Sequence, residues 1–505
     1  MAFSFLPELA ISMLVLLVGL HYVRSGKKKL LSPPVHWPLV SILPSAVFNL
    51  HRLHDYIAFD LLASSGLSVN LKIAIAGMRM FLTCDPANVQ HIFTSNHANY
   101  LKGDMFAECY DVARGSLFTV DGERFRQQRA SYQSVLGSPL LVELITKRCR
   151  DKVEDRLLPF MTHMAETNTT VDMSNLMTRF AFDLYAMSVF GVDPATLSLG
   201  MPPVGVPDAM DTVMEVGFNR FVMPPFLWKA MRRLNMGPER KLAAAQSLLR
   251  SFTQDMIVER RKKDHGFGQE EVPVDVMSHY INDPDYDEDL LQATLIAYMI
   301  AGRDTISAAL PWIVYNLAKN PHVVSSIRDE LAPITSRKAA TADATTLIFE
   351  AEEIRPLVYL QATLLETLRL YPPVPIVGKS VAATDVMPSG HEVRPRDMAF
   401  VSIYSMGRME AIWGPDCREY RPERWLSKDR RQLRHVAPSK FMAFNSGPRM
   451  CIGKNIAIIQ MKIIAAAIAW NFDMRMLDGQ AMDIKRSTLL QVKNGLKVKL
   501  KKREM

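Results

Sequence analysis

Phe444-Asn-Ser-Gly-Pro-Arg-Met-Cys451-Ile-Gly453 is the stretch on which the reading of this chain turns. It sets one cysteine close to two glycines, with Arg449 two residues before the cysteine. Directly after it, Lys454 to Ile468 (KNIAIIQMKIIAAAI) reads as a helix. A cysteine that serves as a metal ligand must be deprotonated, receive backbone amide hydrogen bonds and face its metal. Gly447 permits the tight turn that aims amides at the sulfur. The following helix brings the positive end of its dipole near the thiolate. A phosphate loop does not fit, because five residues instead of four separate Gly447 from Gly453, and Asn455 follows Lys454. A buried structural cysteine would need neither the glycines nor the arginine.

Three segments upstream belong with this loop. Glu366-Thr-Leu-Arg369, running into Leu-Tyr-Pro-Pro-Val-Pro375, puts a carboxylate and a guanidinium on one helix face. Arg421-Pro-Glu-Arg424-Trp425 supplies a further guanidinium. Ala301-Gly302-Arg303-Asp304-Thr305 lies near the middle of a periodic segment, 286–318, where a glycine costs about 1 kcal/mol against alanine and so needs a reason. The cysteine loop resembles the haem-binding loop of the cytochrome P-450 family, Phe-x-x-Gly-x-Arg-x-Cys-x-Gly, and matches all five fixed positions. The other segments match the family's oxygen-activation motif and its buried Glu–Arg–Arg cluster.

The resemblance implies a mainly α fold with minor β. It implies haem b, with Cys451 as thiolate and metal ligand and Phe444, Gly447, Arg449 and Gly453 around it. Arg449 would meet a haem propionate, and Gly453 would let the next helix approach the macrocycle. A thiolate ligand pushes electron density towards dioxygen and favours O–O cleavage. Gly302 would leave room above the iron, Thr305 would hydrogen-bond the oxygen being activated, and Asp304 would relay protons from solvent. Glu366, Arg369 and Arg424 would form a structural cluster that persists only if fully hydrogen-bonded. In Asp121-Gly-Glu-Arg-Phe125-Arg-Gln-Gln-Arg129 the family commonly has a Trp and an Arg on the propionates; Arg129 keeps the cation, and Phe125 replaces the indole.

Tyr371-Pro-Pro-Val-Pro, Asp385 to His391 and Tyr404 to Gly414 resemble the plant fatty-acid and alkane hydroxylase branch. This implies a monooxygenase that inserts one oxygen atom of dioxygen into a C–H bond of a long-chain aliphatic substrate. Electrons would come from NADPH through a separate NADPH-cytochrome P-450 reductase, and the lack of a Gly-x-Gly-x-x-Gly stretch after a strand agrees with that. Arg124, Arg126, Lys428, Arg430, Arg431 and Arg434 would present a basic docking surface. Relatives in the branch oxidise alkaloids, including phenol coupling, so that alternative stays open. The distal pocket is expected from Met105–Phe118, Met214–Phe226, Leu295–Ile300, Ile376–Val377 and Leu489–Leu490, with Arg220 or Lys229 at its mouth for a carboxylate. A peroxide-using haem isomerase would have no need of Asp304 and Thr305, and a haem sensor would favour a Cys-Pro pair, which this chain lacks.

The rest of the chain sets the context. Of its 505 residues, 48% are hydrophobic and 22% charged, enough for a sizeable core without charge-driven disorder. The net charge of +8 comes from scattered basic residues, which speaks for an anionic surface and against nucleic acid. Cys84, Cys109, Cys149, Cys417 and Cys451 are too few and too widely spaced for a disulfide framework, and the first four read as inert small hydrophobes. Residues 1–24 read as a membrane anchor, since Phe5 to Val23 would span ~28 Å as a helix. Arg24 and Lys27–Lys29 then hold the following chain in the cytosol. Residues 25–46 read as a basic, Pro-rich hinge and 47–505 as the catalytic domain. The expected location is the endoplasmic reticulum membrane, single-pass, with the acceptor pattern Asn168-Thr-Thr170 left unmodified on the cytosolic side. Helices are expected over 140–160, 170–190, 240–260, 286–318, 322–333 and 353–371, strands over 68–75, 80–83 and 495–500, and an exposed loop over 261–285.

Overall fold

A computed structural model describes residues 42–73, 78–266, 274–339 and 346–504. The expected anchor and nearly all of the hinge lie outside the described residues. Among those described, no helix is long and apolar enough to cross a membrane.

Helices make the body. In chain order the ones that matter here are α1 (Leu43–Phe48), α2 (Gly122–Leu136), α3 (Pro139–Lys152), α4 (Met173–Phe190), α5 (Gly205–Val222), α6 (Pro225–Arg233), α7 (Gly237–Gly266), α8 (Glu288–Met299), α9 (Thr305–Lys319), α10 (Pro321–Ala339), α11 (Val358–Leu370) and α12 (Lys454–Asn471). Their ends follow local chemistry. Asp172 accepts hydrogen bonds from the Ser174 and Asn175 amides to start α4, which stops at Gly191 with φ +72°. Asp287 caps α8, and Glu288 and Asp289 sit in its first turn, where the helix dipole favours negative charge.

All the expected helices are present, with bounds moved by a few residues. The expected 286–318 helix is α8 and α9 joined by a π-turn, Ile300–Asp304, and α9 runs through Pro311 without a break. The expected loop over 261–285 is corrected at its two ends, while 267–273 lie outside the described residues. Helix α7 continues to Gly266, and Asp275, Val276, Met277 and Tyr280 are buried. Charge did not keep this segment at the surface, because Arg260 takes Asp275 as a partner inside and also donates to the Phe190 carbonyl at 2.9 Å.

The larger sheet runs in the spatial order β1 (Ser68–Ile73), β2 (Met78–Thr83), β8 (Met398–Ser402), β5 (Ile376–Val381), β3 (Tyr100–Leu101). Only the β2–β8 pairing is parallel. A smaller sheet sets β10 (Lys497–Lys502) between β4 (Val171–Asp172) and β9 (Phe472–Met476). A short hairpin pairs β6 (Asp385–Val386) with β7 (Glu392–Val393). β5 and β8 were not expected, since short apolar runs lack the length and alternation that separate strand from buried helix.

One core cluster joins α4, α9, α10, α11 and α12 through residues such as Leu184, Ile313, Ile327, Leu364 and Ile464. A second underlies α5 and α8, and a third lies beneath the larger sheet. Helix α12 is buried from Ile459 to Ala469, so it holds the cysteine loop against the centre of the molecule.

Candidate functional site

A cavity of about 940 Å³ opens between the helical body and the larger sheet. Its walls come from the 105–118 region, α5, α8, the π-turn, the start of β5 and the 486–489 segment. The expected segments 105–118, 214–226, 295–300 and 376–377 all contribute, as does Leu489 but not Leu490, together with unexpected residues such as Leu61, Leu82 and Tyr185. Aromatic rings crowd one side, where Phe106 and Tyr110 each contact Phe118 and Phe221.

Cys451 lines this cavity, and its sulfur is the only cysteine sulfur among the described residues that is exposed; Cys84, Cys109, Cys149 and Cys417 are buried and free. The turn before it depends on Gly447. That residue has φ +63°, and an added Cβ would lie 1.8 Å from the Phe93 carbonyl oxygen. The Cys451 amide donates to the Phe444 carbonyl at 2.8 Å, which closes the loop. Gly453 stands at the N-terminus of α12, where a Cβ would come 4.0 Å from the Cys451 sulfur. Burial pushes the Cys451 thiol up, while the Gly453 amide, Arg129 and Lys454 pull it down.

The π-turn divides the roles of its neighbours. Ala301, Gly302 and Thr305 line the cavity, and the Thr305 hydroxyl donates to the Ala301 carbonyl at 2.8 Å. Asp304 does not line it. Successive helix residues point about 100° apart, so Asp304 turns towards α5, fully buried beside Arg303. Arg303 bonds both Asp304 and Asp211, each at 2.7 Å. Burial raises the Asp304 carboxyl to about 6 despite that cation. Gly302 has another reason than room above a metal. An added Cβ would sit 1.9 Å from Cε1 of Tyr185, whose ring from α4 fills that place and whose hydroxyl donates to Gln460 at 2.9 Å.

A cluster of cations rims the cavity near the cysteine. Arg129 lines it and has no ion pair among the described residues. Arg449 donates to Asp121 and to the Val120 carbonyl, both at 2.6 Å, and stacks 3.9 Å from the Phe125 ring centroid. Phe125 therefore serves as the platform for Arg449 where the family pattern has an indole. Sequence reasoning missed Lys102, which also lines the cavity, and its neighbour Lys379, which lies outside the lining. The antiparallel pairing of β3 with β5 sets Leu101 opposite Ser380 and so brings the two lysines side by side. Burial lowers both, Lys102 well below its ordinary value and Lys379 to about 7, with Arg449 adding repulsion. Lys102 lies 3.7 Å from the Phe106 ring centroid. Their only signal was the strand register, which lone lysines in the sequence do not reveal.

Behind the loop, Glu366 is fully buried and accepts from Arg369 at 2.7 and 2.8 Å, the Trp425 indole at 2.9 Å, the Arg421 amide at 2.9 Å and Arg424 at 3.4 Å. Arg369 spends its other donors on the Gly407, Cys417 and Glu419 carbonyls. Arg424 spends its own on Asp416 and Trp413. The predicted triad is thus assembled and saturated, the condition for keeping such charges buried.

Arg220 and Lys229 are not available for a substrate carboxylate. Arg220 is buried in a two-point pair with Glu239, and Lys229 pairs with Glu108 at 2.8 Å. Sequence spacing gave no hint of these counter-ions.

Among the described residues Lys102, Lys379 and Arg449 share the single carboxylate Asp121, and Arg129 adds a further cation beside Cys451; this imbalance calls for a ligand that brings negative charge of its own. A ring system carrying two propionates above a cysteine meets the demand, so the residues present fit haem b and define a haem-thiolate oxidoreductase. The chain belongs to the cytochrome P450 family, whose sequence profile matches residues 69–500. It is 34% identical over 479 residues to the alkane hydroxylase MAH1 of Arabidopsis thaliana, covering 93% of each chain. It is 33% identical over 499 residues to noroxomaritidine synthase 1 of Narcissus pseudonarcissus, covering 98% of this chain and 96% of the other. It is 34% identical over 504 residues to cytochrome P450 86B1 of Arabidopsis thaliana, covering 98% and 89%. The protein is accordingly a haem-thiolate monooxygenase that uses haem b, takes its electrons from a reductase and acts on a hydrophobic substrate.

Proposed function

We propose that this monooxygenase hydroxylates a C–H bond of a long-chain aliphatic substrate, with Cys451 as the thiolate ligand. The observation that carries the reading is the cavity wall, which is mostly apolar from its mouth at Val47 and Val222 to Ile300 and Ala301 beside Thr305. A chain laid along it gains ~0.8 kcal/mol per buried methylene. The similarity to an alkane hydroxylase supports the same reading.

Bound haem supplies the activation of dioxygen, with one oxygen atom entering the substrate and the other leaving as water. Arg129, Arg449 and Lys102 would hold its propionates, with Lys379 adding positive charge beside Lys102. The Gly447 turn orients the Cys451 sulfur, and the Gly453 amide, Arg129 and Lys454 favour its anionic form against the effect of burial. Thr305 offers its hydroxyl at the cavity face; behind it Asp304, whose carboxyl burial raises to about 6, can hold a proton, and Arg303 fixes it beside Asp211, which is 21% exposed. A reductase docks on the basic surface around Arg124 and Arg430.

Exposed apolar residues at the mouth, Val47 and Phe48 on α1 with Val222 and Phe226 at the end of α5 and the start of α6, support a mouth turned towards a membrane. This agrees with an N-terminal anchor in the endoplasmic reticulum and a cytosolic body. A second reading, oxidation of a phenolic alkaloid, draws on the similarity to noroxomaritidine synthase and on the aromatic side of the cavity, where rings stack well.

Spectral titration with a long-chain alkane, a fatty acid and a phenolic amine, each followed by product analysis, tests the reading. The aliphatic compounds should bind and turn over, and turnover of the amine alone would replace the first reading with the second. In parallel, Cys451→His should abolish the thiolate-type Soret band of the reduced, carbon-monoxide-bound protein while haem is retained. Survival of that band would remove Cys451 from its role.

A further inference from the structure

The carboxylate anchor expected at Arg220 or Lys229 is missing there, yet the cavity holds another candidate. The segment 484–492 is a hairpin, closed by the Ile484–Val492 bridge and the Lys485 amide bond to Gln491 at 2.8 Å. Its turn is fixed on three sides. Thr488 donates to the Met214 carbonyl at 3.0 Å and bonds the Tyr110 hydroxyl, Leu490 donates to the Pro373 carbonyl at 2.9 Å, and Lys485 pairs with Glu215 on α5. Ser487 and Leu489 face inward, fully or nearly fully buried. Arg486 lies between these tethers, lines the cavity and is also exposed, so it stands at an opening.

Two facts about charge give Arg486 its meaning. First, four cations among the described residues line the cavity, Lys102, Arg129, Arg449 and Arg486, and the first three belong to the rim beside the cysteine. Arg486 is the one that stands apart from that rim; like Arg129 it has no hydrogen bond or ion pair among the described residues, and the neighbouring carboxylate, Glu215, is taken by Lys485. Second, no aspartate or glutamate lines the cavity among the described residues. An ammonium head group would find no counter-ion in it, and a carboxylate would find, away from the rim beside the cysteine, one free guanidinium, whose planar fork matches two carboxylate oxygens.

We infer that Arg486 receives the carboxylate of the substrate, which makes the preferred aliphatic substrate a fatty acid and not an alkane or an amine. The inference rests on the aliphatic reading above. The rigid turn holds the guanidinium in place, so the acid head is fixed at the opening and the alkyl chain enters the cavity in one register.

The test uses haem-loaded full-length protein and three probes: palmitate, its methyl ester and the alkaloid-like phenolic amine tyramine. Wild type should bind palmitate roughly tenfold tighter than the ester, as one charge-assisted contact at a partly exposed site allows. Arg486→Gln should remove that preference, leave ester binding unchanged and broaden the set of hydroxylated carbons, while Arg486→Lys keeps part of the preference. Equal binding of acid and ester by wild type, or equal loss of both in Arg486→Gln, would overturn the inference and leave the aliphatic reading standing. If only tyramine binds and turns over, the aliphatic reading fails and the anchor with it.

Discussion

Gly302→Ala isolates one packing contact at the heart of the oxygen-activation segment. The added Cβ would lie 1.9, 2.2 and 2.6 Å from Cε1, Cδ1 and Cζ of Tyr185. Carbon atoms rest at about 3.5–4.0 Å, so ring or helix must retreat by about 1.5 Å or more. Overpacking of this kind destabilises by about 1–3 kcal/mol, and alanine returns about 1 kcal/mol of helix propensity. The single substitution should therefore cost about 0–2 kcal/mol. In a Tyr185→Ala background the obstacle is gone, and the same change should stabilise by up to about 1 kcal/mol. A double-mutant cycle should thus show a coupling of about 1–3 kcal/mol. Loss of the Tyr185–Gln460 hydrogen bond cancels, because both Tyr185→Ala proteins lack it. Urea unfolding at matched haem loading, read by the thiolate Soret band, supplies the four midpoints. A coupling below about 0.5 kcal/mol would refute the argument and return Gly302 to a role above the metal.

Other outcomes follow from the same geometry. Thr305→Ala should let NADPH consumption continue while product falls and peroxide rises, and unchanged coupling would remove the hydroxyl from the proposed role. Asp304 is held near 6 by burial, so the coupling of NADPH use to product should change with pH around that value in wild type and stay flat in Asp304→Asn. The raised carboxyl also binds its proton more tightly in the folded than in the unfolded state. Stability should accordingly decline as pH rises from the ordinary carboxyl range through about 6, and Asp304→Asn should remove the decline. Lys379 sits near 7 without an anionic ligand, and a propionate would raise it. Below pH 7 it is already charged, whereas above that pH haem binding must take up a proton. Haem titration of the apoprotein should then show affinity falling by up to about tenfold per pH unit above 7, a slope absent in Lys379→Met. Expressed in a eukaryotic host, the exposed Asn168 should carry no glycan, and a mass shift at that residue would reverse the proposed orientation.

What could be read in advance was whatever lies close together in the chain. The cysteine loop, Glu366-Arg369 and the 301–305 segment each place their groups within one turn or loop, so local geometry carries over into the fold. Even there, adjacency misled once. Adjacent Asp304 and Thr305 were expected to serve one oxygen-activating site, yet the helix turns them to different surroundings. Lys102 and Lys379 were illegible, because only the pairing of β3 with β5 joins them. Arg220 and Lys229 were assigned to substrate since their counter-ions, Glu239 and Glu108, meet them only through the packing of α5 and α6 against α7 and the 103–109 helix. Charge in a sequence indicates what must be satisfied and leaves the partner open.

The bond between Arg449 and Asp121 has a bearing on how the protein is made. Its two residues are 328 positions apart, and β10 meets β4 across a similar interval of 325 between Lys497 and Asp172. A ribosome adding about 5–20 residues per second would need roughly 16–66 s to deliver the second residue after the first. During that time the greasy walls formed by the first half of the chain have no floor to close on. Cofactor capture must therefore be among the last events in the life of the nascent chain, and the unfinished chamber is the form most in need of a chaperone.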